Sequence, residues 1–231
     1  GNCYHYSPEK KNDEDPIKAY TEEMHLGMWL TGKRVEGSWA HADEQSSFYE
    51  LKAYVMNIFT RLGVNPGIVV TESSDNNVFG KALALKARSG KVLCEMGIVS
   101  HKLLKKMDIE QEVFYADINW DNMMRAIKKN EVLYHDICKF PSVSRDLALL
   151  LDKNVQFEQI EQIARQTEKK LLKSVELFDV YEGKNLPEGK KSYAVNFILQ
   201  DEARTLNDKQ IEAIMSKLIN NLKTKLGAEL R

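Results

Sequence analysis

The sequence predicts an α+β protein of two domains, each built around a largely antiparallel sheet. Strand and helix patterns alternate along the whole chain, and they become more regular after residue 137. The charge balance changes at the same place, because residues 1–137 hold 17 basic and 20 acidic side chains, whereas residues 138–231 hold 16 and 14. The predicted domains are therefore 1–137 and 138–231.

The overall composition is that of an ordinary soluble protein, with 33 basic and 34 acidic side chains among 231 residues. Such a balance gives no extended field for DNA or a membrane surface, and no stretch approaches the ~20 apolar residues of a membrane span. Cys3, Cys94 and Cys138 are too few and too scattered for a disulfide framework, and the polar start lacks a signal peptide. These features predict a cytoplasmic protein that binds neither DNA nor membranes.

The first half begins with a predicted strand over 19–31 and a helix over 47–62. Ser47-Phe-Tyr-Glu50 fits a capping box at the start of that helix, and Gly63 can supply its left-handed end. A hairpin follows, with arms 81–88 and 91–100 around Ser89-Gly90. A short helix over 102–107, a strand over 113–118, a helix over 121–129 and a strand over 132–137 complete this half.

The second half has a simpler order. An apolar strand over 147–151 precedes a helix whose apolar positions run from Phe157 to Leu171, and then come two hairpin arms, 175–181 and 192–200. Thr205-Leu-Asn-Asp208 fits a capping box that opens a helix ending at Gly227, and 228–231 leaves room for a short strand. The order βαββαβ predicts a ferredoxin-like fold, in which two helices cover one face of a four-stranded sheet.

Strand alternation predicts the composition of the other face of that sheet. If Tyr193, Val195, Phe197 and Leu199 point inward, then Ser192, Ala194, Asn196 and Ile198 point away from the helices. On the preceding arm, inward Phe178 and Val180 would leave Leu177, Asp179 and Tyr181 outward. A mixed polar and aromatic face suits single-stranded or loop RNA, because unstacked bases need planar partners and hydrogen bonds at their edges.

The sequence lacks the usual signatures of nucleotide, zinc and acyl-enzyme chemistry, including G-x-G-x-x-G, G-x-x-x-x-G-K-[ST], H-E-x-x-H and G-x-S-x-G. Cys3-x-His5 and His135-x-x-Cys138 are the nearest approach to metal pairs, but zinc needs four converging ligands. His25, His41 and His101 have no nucleophile or carboxylate partner nearby in sequence. We therefore expect neither a catalytic residue nor a metal site.

Two long segments of the second half carry a family resemblance: KFPSVSRDLALLLD at 139–152 and LFDVYEGKNLPEGKKSYAVNFILQDEARTL at 177–206. They resemble the ferredoxin-fold anticodon-binding domain at the C-terminus of bacterial phenylalanyl-tRNA synthetase beta subunits. In the first half, SSFYELKAYVMNIFTRLG and KVLCEMGIVSHKLL resemble a helix, and a strand with its turn, of the catalytic-like core of the same subunits. The resemblance implies a degenerate class II synthetase-like antiparallel sheet domain, 1–137, followed by the anticodon-binding domain, 138–231.

The resemblance also implies a function. The beta subunit would contact a catalytic alpha subunit in an assembly of two alpha and two beta subunits, and would help to charge tRNA(Phe) with phenylalanine, with ATP and Mg²⁺ as cofactors of the holoenzyme. This chain lacks the Arg-containing second motif and the glycine-rich third motif of active relatives, so we expect a noncatalytic fragment with no cofactor of its own. It also has Asp75-Asn-Asn-Val-Phe-Gly80 where the family often has a His-Pro-Gly-Arg segment, so no site is assigned there.

For contact with tRNA we predict Tyr181 and Ser192 at the ends of the hairpin arms, with Arg145, Lys191 and Arg204 as phosphate contacts. Each has a structural alternative: Tyr181 could close the hairpin, and the cations could be solvated or paired locally. A different function is a free-standing RNA-binding protein with no synthetase partner. A large exposed apolar patch in the first half would indicate a missing partner, whereas a well-covered surface would favour the free-standing protein.

Overall fold

The computed structural model describes residues 1–11, 15–64, 69–74, 76–128, 130, 134 and 136–231. The chain divides into two compact units, Gly1–Leu133 and Tyr134–Arg231. The strand predicted over 132–137 lies largely outside the described residues, and Tyr134, Asp136 and Ile137 have no regular structure. Within the described part of the chain, no helix has the length and apolar character needed to cross a membrane.

The elements of the first unit, in chain order, are β1 (Asn2–Tyr6), β2 (Tyr20–Thr31), β3 (Lys33–Val35), β4 (Glu44–Gln45), α1 (Phe48–Arg61), β5 (Val69–Ser74), β6 (Phe79–Ala87), β7 (Val92–Val99), α2 (His101–Lys106), β8 (Val113–Asn119) and α3 (Trp120–Ile127). Six of the strands form one sheet with the order β1-β2-β8-β7-β6-β5, in which every neighbouring pair is antiparallel. The short strands β3 and β4 form a separate two-stranded ribbon. The predicted long strand, the hairpin and the three helices are confirmed, with shifts of one to two residues at most ends.

Helix α1 begins where the sequence predicts, because the Ser47 side chain accepts a hydrogen bond from the Glu50 backbone N–H. In a full capping box, the Glu50 side chain would also bond the Ser47 backbone N–H. The Glu50 carboxylate instead accepts a hydrogen bond from the Tyr54 hydroxyl at 2.8 Å. Gly63 has φ +71° and ends the helix as predicted. Helices α1 and α3 pack on one face of the sheet, and the core between them includes Leu51, Val55, Phe59, Leu93, Cys94, Met96, Phe114, Ala116, Ile118 and Met123.

The second unit has the predicted βαββαβ order, with the elements β9 (Val143–Asp152), α4 (Phe157–Thr167), β10 (Leu172–Tyr181), β11 (Lys190–Leu199), α5 (Asp208–Leu226) and β12 (Glu229–Leu230). The strands lie in the sheet in the order β10-β11-β9-β12. Helix α5 is capped by Asn207 and Gln210, which bond each other's backbone N–H groups, rather than by Thr205 and Asp208. Its C-terminus is as predicted, with Gly227 at φ +63°.

The core of this unit lies between the two helices and the inward face of the sheet. Val195, Phe197 and Leu199 are fully buried and Tyr193 nearly so, which confirms the predicted parity of β11. The prediction for β10 is wrong at two positions, because a bulge interrupts the pairing between Leu177 and Asp179. Leu177 pairs with Val195 and packs on the core, whereas Phe178 is 60% exposed. The extra residue in the bulge reverses the alternation that a regular strand would keep.

Candidate nucleic-acid interface

The face of the four-stranded sheet that the helices leave uncovered is the candidate interface, and we call it the open face. One row of register partners crosses it from Tyr181 on β10 to Ser192 on β11, Leu150 on β9 and Glu229 on β12. A second row joins Asp179, Ala194 and Ala148. Because paired residues of neighbouring strands point to the same side, these two rows bring aromatic, hydroxyl and carboxylate groups together.

Tyr181 is the aromatic centre of the open face. Its ring is 36% exposed, and the guanidinium carbon of Arg231 lies 5.4 Å from the ring centroid, within cation–π range. Arg231 is held at this place by its backbone N–H, which donates to the Ala148 carbonyl at 3.0 Å. A Cβ on Gly183 would overlap the Tyr181 ring, so the hairpin loop approaches the ring closely and a larger residue at 183 would displace it. The ring is therefore supported from two sides.

A polar cluster lies farther along the same face. The Asn196 side-chain amide donates to the Ser144 hydroxyl and to the Asp146 carboxylate. Register confirms that Asn196 pairs with Asp146, so these side chains share the open face. Amide and carboxylate groups can read the edges of unpaired bases, whereas an aromatic ring binds their faces. The open face thus offers both kinds of contact.

The structure brings together only two of the five residues predicted for tRNA contact. Tyr181 and Ser192 are direct register partners, although Ser192 is only 7% exposed. Arg145 pairs with the core residue Phe197 and so lies on the helix-covered side, where its guanidinium donates to the Ser144 carbonyl at 2.9 Å. The charge of Arg145 is therefore not presented on the open face.

The two remaining predicted residues also lie away from the open face. Lys191 is 6% exposed, pairs with the core residue Leu151, and donates to the Tyr193 hydroxyl at 2.7 Å. Such burial and pairing do not suit a phosphate contact. Arg204 lies in the loop before α5, with Nε 3.5 Å from Asp201 and a largely exposed side chain. It remains accessible to a phosphate at the edge of the unit.

Three residues of the open face were not predicted as contacts. Asp179 and Asn196 were expected to point outward, but nothing in their spacing distinguishes a recognition residue from a solvated one. Arg231 follows the last strand, and only the three-dimensional fold shows that its side chain reaches Tyr181. Strand alternation therefore predicts the face, whereas the residues that come together on it depend on the three-dimensional fold.

In the first unit, the thiol of Cys94 is fully buried. Burial raises the pKa of the Cys94 thiol, and the nearby carboxylates of Asp117 and Glu95 raise it further. A thiol that stays neutral is a poor nucleophile. Cys94 packs between the sheet and the helices as a core residue.

Comparison with known proteins bears on both units. The family model described as the ferredoxin-fold anticodon-binding domain matches residues 138–231. The model described as the phenylalanyl tRNA synthetase beta chain CLM domain matches residues 1–120, which is more than half of the chain. The chain belongs to the phenylalanyl-tRNA synthetase beta chain family. This confirms the resemblance drawn from the sequence, and the open face lies within the part matched by the anticodon-binding domain.

Individual members of the phenylalanyl-tRNA synthetase beta chain family are similar over most or all of the chain. The phenylalanine–tRNA ligase beta subunits of Bacteroides fragilis and Porphyromonas gingivalis are 58% and 51% identical over 231 residues. That of Syntrophotalea carbinolica is 35% identical over 211 residues, or 91% of the chain. The chain covers 28%, 28% and 26% of these three relatives, respectively. It therefore corresponds to about a quarter of a beta subunit.

Proposed function

We propose that residues 138–231 bind the anticodon stem-loop of tRNA(Phe) through the open face, as part of the beta subunit of a phenylalanine–tRNA ligase. The observation that carries this proposal is the exposed Tyr181 ring, braced by Arg231 and Gly183 and flanked by hydrogen-bonding groups. The match to an anticodon-binding domain over these residues supports it.

The chemistry of the open face fits a loop of RNA. An unpaired base stacks on the Tyr181 ring, and the carboxylate of Asp179 and the amide of Asn196 accept from or donate to base edges. Base–aromatic stacking contributes about 1–3 kcal/mol per base. Arg231 supplies a positive charge beside the ring, where it can contact a phosphate. Arg204 is a second, peripheral cation.

Electrostatics predict that this contact is weak in isolation. Residues 138–231 carry an excess of only two basic side chains, and Arg145 and Lys191 are turned away from the open face. Phosphate neutralisation supplies most sequence-independent affinity for nucleic acids. We therefore infer that the open face selects the anticodon, whereas other parts of the holoenzyme hold the tRNA.

For the first unit we propose a noncatalytic, class II synthetase-like role in which residues 1–137 contact the alpha subunit. A group of exposed, mostly apolar side chains supports the proposal that a protein partner covers part of this unit. This set, the tyrosine patch, consists of Tyr4, Tyr6, Tyr20, Met24 and Leu26, which are between 37% and 66% exposed. The register of β1, β2 and β8 puts all five on the helix-covered side of the sheet. An exposed group of this kind is typical of protein interfaces, and it does not favour a free-standing RNA-binding protein.

The holoenzyme implied by these proposals has two alpha and two beta subunits. ATP and Mg²⁺ would belong to the alpha subunit, where phenylalanine is activated. The 231-residue chain alone should show no phenylalanine-dependent pyrophosphate exchange. Measurable exchange by the purified chain would contradict the noncatalytic assignment.

The test of the anticodon proposal is the affinity of the chain for a tRNA(Phe) anticodon stem-loop, measured by fluorescence anisotropy at a fixed, low salt concentration. Tyr181→Ala should raise the Kd roughly 5- to 150-fold, the equivalent of one lost stacking contact. Tyr181→Phe should retain most of the affinity because the ring remains. Val180→Ala changes the preceding residue of the same strand, whose pairing with Tyr193 puts it on the helix-covered side, so it is the matched control and should leave the Kd unchanged.

The partner proposal has a separate test. Tyr6→Ser combined with Tyr20→Ser should weaken co-purification with the alpha subunit, because their rings lie 5.1 Å apart in the tyrosine patch. Tyr49→Ser removes a side chain that is more exposed than either but lies outside the patch, and it should have no effect. Equal capture of all three proteins by the alpha subunit would exclude the patch as its contact.

A further inference from the structure

A cluster of two histidines and a glutamate lies on the first sheet, on the side opposite α1 and α3. It consists of His5 on β1 and Glu23 and His25 on β2, and we call it the His–Glu–His cluster. The strands β1 and β2 are antiparallel neighbours, with Cys3 opposite Glu23 and His5 opposite Thr21. Alternation along both strands therefore places the three side chains on one side of the sheet.

The three side chains of the cluster lie close enough together to share one metal ion. Glu23 Oε2 lies 3.5 Å from His25 Nε2 and 4.0 Å from His5 Nε2, and the potential ligand atoms all lie within 4.8 Å of one another. A tetrahedral zinc ion with bonds of about 2.0–2.1 Å separates its ligand atoms by roughly 3.3 Å. The His5 nitrogen would move closer to Glu23 and His25 when the ion binds, and its side chain is 59% exposed.

The groups behind the cluster fix the orientation of its ligands. Asp117 Oδ1 lies 2.7 Å from His25 Nδ1, so the carboxylate accepts from Nδ1–H and Nε2 is the ring nitrogen that faces Glu23. Histidine ligands of metals almost always donate their other ring N–H to a carboxylate, a backbone carbonyl or water. In the neutral imidazole, Nε2 and the Glu23 carboxylate can both donate a lone pair to one cation that lies between them.

Asn119 holds the glutamate in the same way. Its amide nitrogen donates to Glu23 Oε2 at 2.8 Å and lies 3.4 Å from His25 Nε2. Its amide oxygen accepts from the Asn122 backbone N–H at 2.9 Å, because Asn119 is also the N-cap of α3. The cap fixes which end of the amide faces the cluster, so the start of a helix helps to position a ligand on the sheet.

We propose that His5, Glu23 and His25 bind one divalent transition-metal ion of the zinc class, with water in the remaining coordination position. Two imidazoles and one carboxylate suit Zn²⁺ or Co²⁺, whereas Mg²⁺ and Ca²⁺ prefer all-oxygen sites. The His5 and Glu23 side chains are 59% and 42% exposed, so an ion reaches them from solvent. The ion would tie the edge strand β1 to β2.

This site goes beyond the proposed tRNA and alpha-subunit contacts and differs from the expectation of no metal site. The sequence pattern could not reveal it, because His5 and His25 are twenty positions apart and a loop separates their strands. The pairs that the sequence suggested, Cys3 with His5 and His135 with Cys138, do not form this cluster. His135 lies outside the described residues.

The experiment is a competition titration of the 231-residue chain with Zn²⁺ and a chromophoric chelator, in the presence of a phosphine reductant. The chain should bind one equivalent. His5→Gln and Glu23→Gln should each weaken binding at least tenfold, and Asp117→Asn should weaken it about 10- to 100-fold. His101→Gln, which changes an exposed histidine on α2, and Cys3→Ser should leave binding unchanged. Circular dichroism checks that each variant is folded.

The outcomes separate the proposal from its rivals. Failure of the parent chain to compete with a chelator of micromolar affinity would overturn it. Binding that survives in both His5→Gln and Glu23→Gln, or that is lost in Cys3→Ser alone, would place the ion elsewhere and would equally overturn it. A rise in melting temperature on addition of Zn²⁺ to the parent, absent from folded Glu23→Gln, would support the cluster independently of the chelator.

Discussion

The two units are built alike, yet they differ on the side of the sheet that their main helices leave free. In the first unit, that side is partly occupied: Trp29 stacks on Tyr115 at 3.9 Å, and Val99, Leu104 and Val113 form a small separate core. In the second unit the corresponding side carries Tyr181, Asp179 and Asn196, with Arg231 across the tyrosine ring. In both units, helices cover one face of an antiparallel sheet, and the residues that point to the other face decide whether that face packs locally or remains open.

The largest loss of stability is expected on the helix-covered face of the second unit. Phe197 is fully buried between the sheet and the helices, so Phe197→Ala should lower the free energy of unfolding by about 3–5 kcal/mol. Phe178→Ala removes the same ring from the bulge, where it is mostly exposed, and should cost less than about 1 kcal/mol. Urea unfolding followed by circular dichroism measures both, and equal losses would contradict the assignment of the two faces.

An intermediate effect is expected at Gly97, where an added side chain would meet the neighbouring strand of the first unit. A Cβ on Gly97 would overlap the Lys81 carbonyl oxygen and Ala82, both on the neighbouring strand β6. Gly97→Ala should therefore destabilise the protein by about 1–3 kcal/mol. At Gly80 the nearest atom to an added Cβ is 3.8 Å away, so Gly80→Ala is the matched control and should be neutral or slightly stabilising. Thermal unfolding of the two variants would show the difference, and a stable Gly97→Ala protein would refute the close approach.

A smaller effect is expected when the capped start of α5 in the second unit is compared with the start of α2 in the first, which has no side-chain cap bond. Asn207 accepts a hydrogen bond from the Gln210 backbone N–H at 2.9 Å, so Asn207→Ala should cost about 1 kcal/mol. Ser100 stands at the start of α2 without a side-chain cap bond, and Ser100→Ala should change the free energy of unfolding by less than about 0.5 kcal/mol. Chemical denaturation of both variants provides the comparison. An equal loss at both positions would mean that the cap of α5 has no special role.

Local patterns predicted the order of elements in the second unit and most of the longer elements in the first, because apolar periodicity and capping residues act over a few positions. The strands β3, β4 and β5 were not predicted. The patterns were less reliable at the start of α5, where Thr205 and Asp208 were predicted as the capping box but Asn207 and Gln210 form it. A bulge made the predicted parity of β10 wrong at Leu177 and Phe178, since nothing in the sequence marks an extra residue. Errors of this kind arise wherever register, rather than composition, decides the structure.

The candidate site shows the same limit. Strand alternation predicts the open face. The same alternation turns Tyr193 and Lys191 to the helix-covered side. The phosphate contact predicted for Lys191 rested on its charge alone and did not take this alternation into account. Arg231 and the His–Glu–His cluster depend on strands that are distant in sequence. Such contacts are set by topology, which no short motif encodes.

Binding of the anticodon loop to the open face of the second unit can be followed residue by residue in amide NMR spectra recorded during titration with the stem-loop. We expect concentration-dependent shifts at the open-face residues Asp179, Tyr181, Ser192 and Asn196. Amides on the solvent side of α4 and α5, such as those of Glu161 and Lys217, should remain unmoved. Shifts confined to the helices, with the open-face amides unchanged at saturating RNA, would show that the open face is not the binding surface.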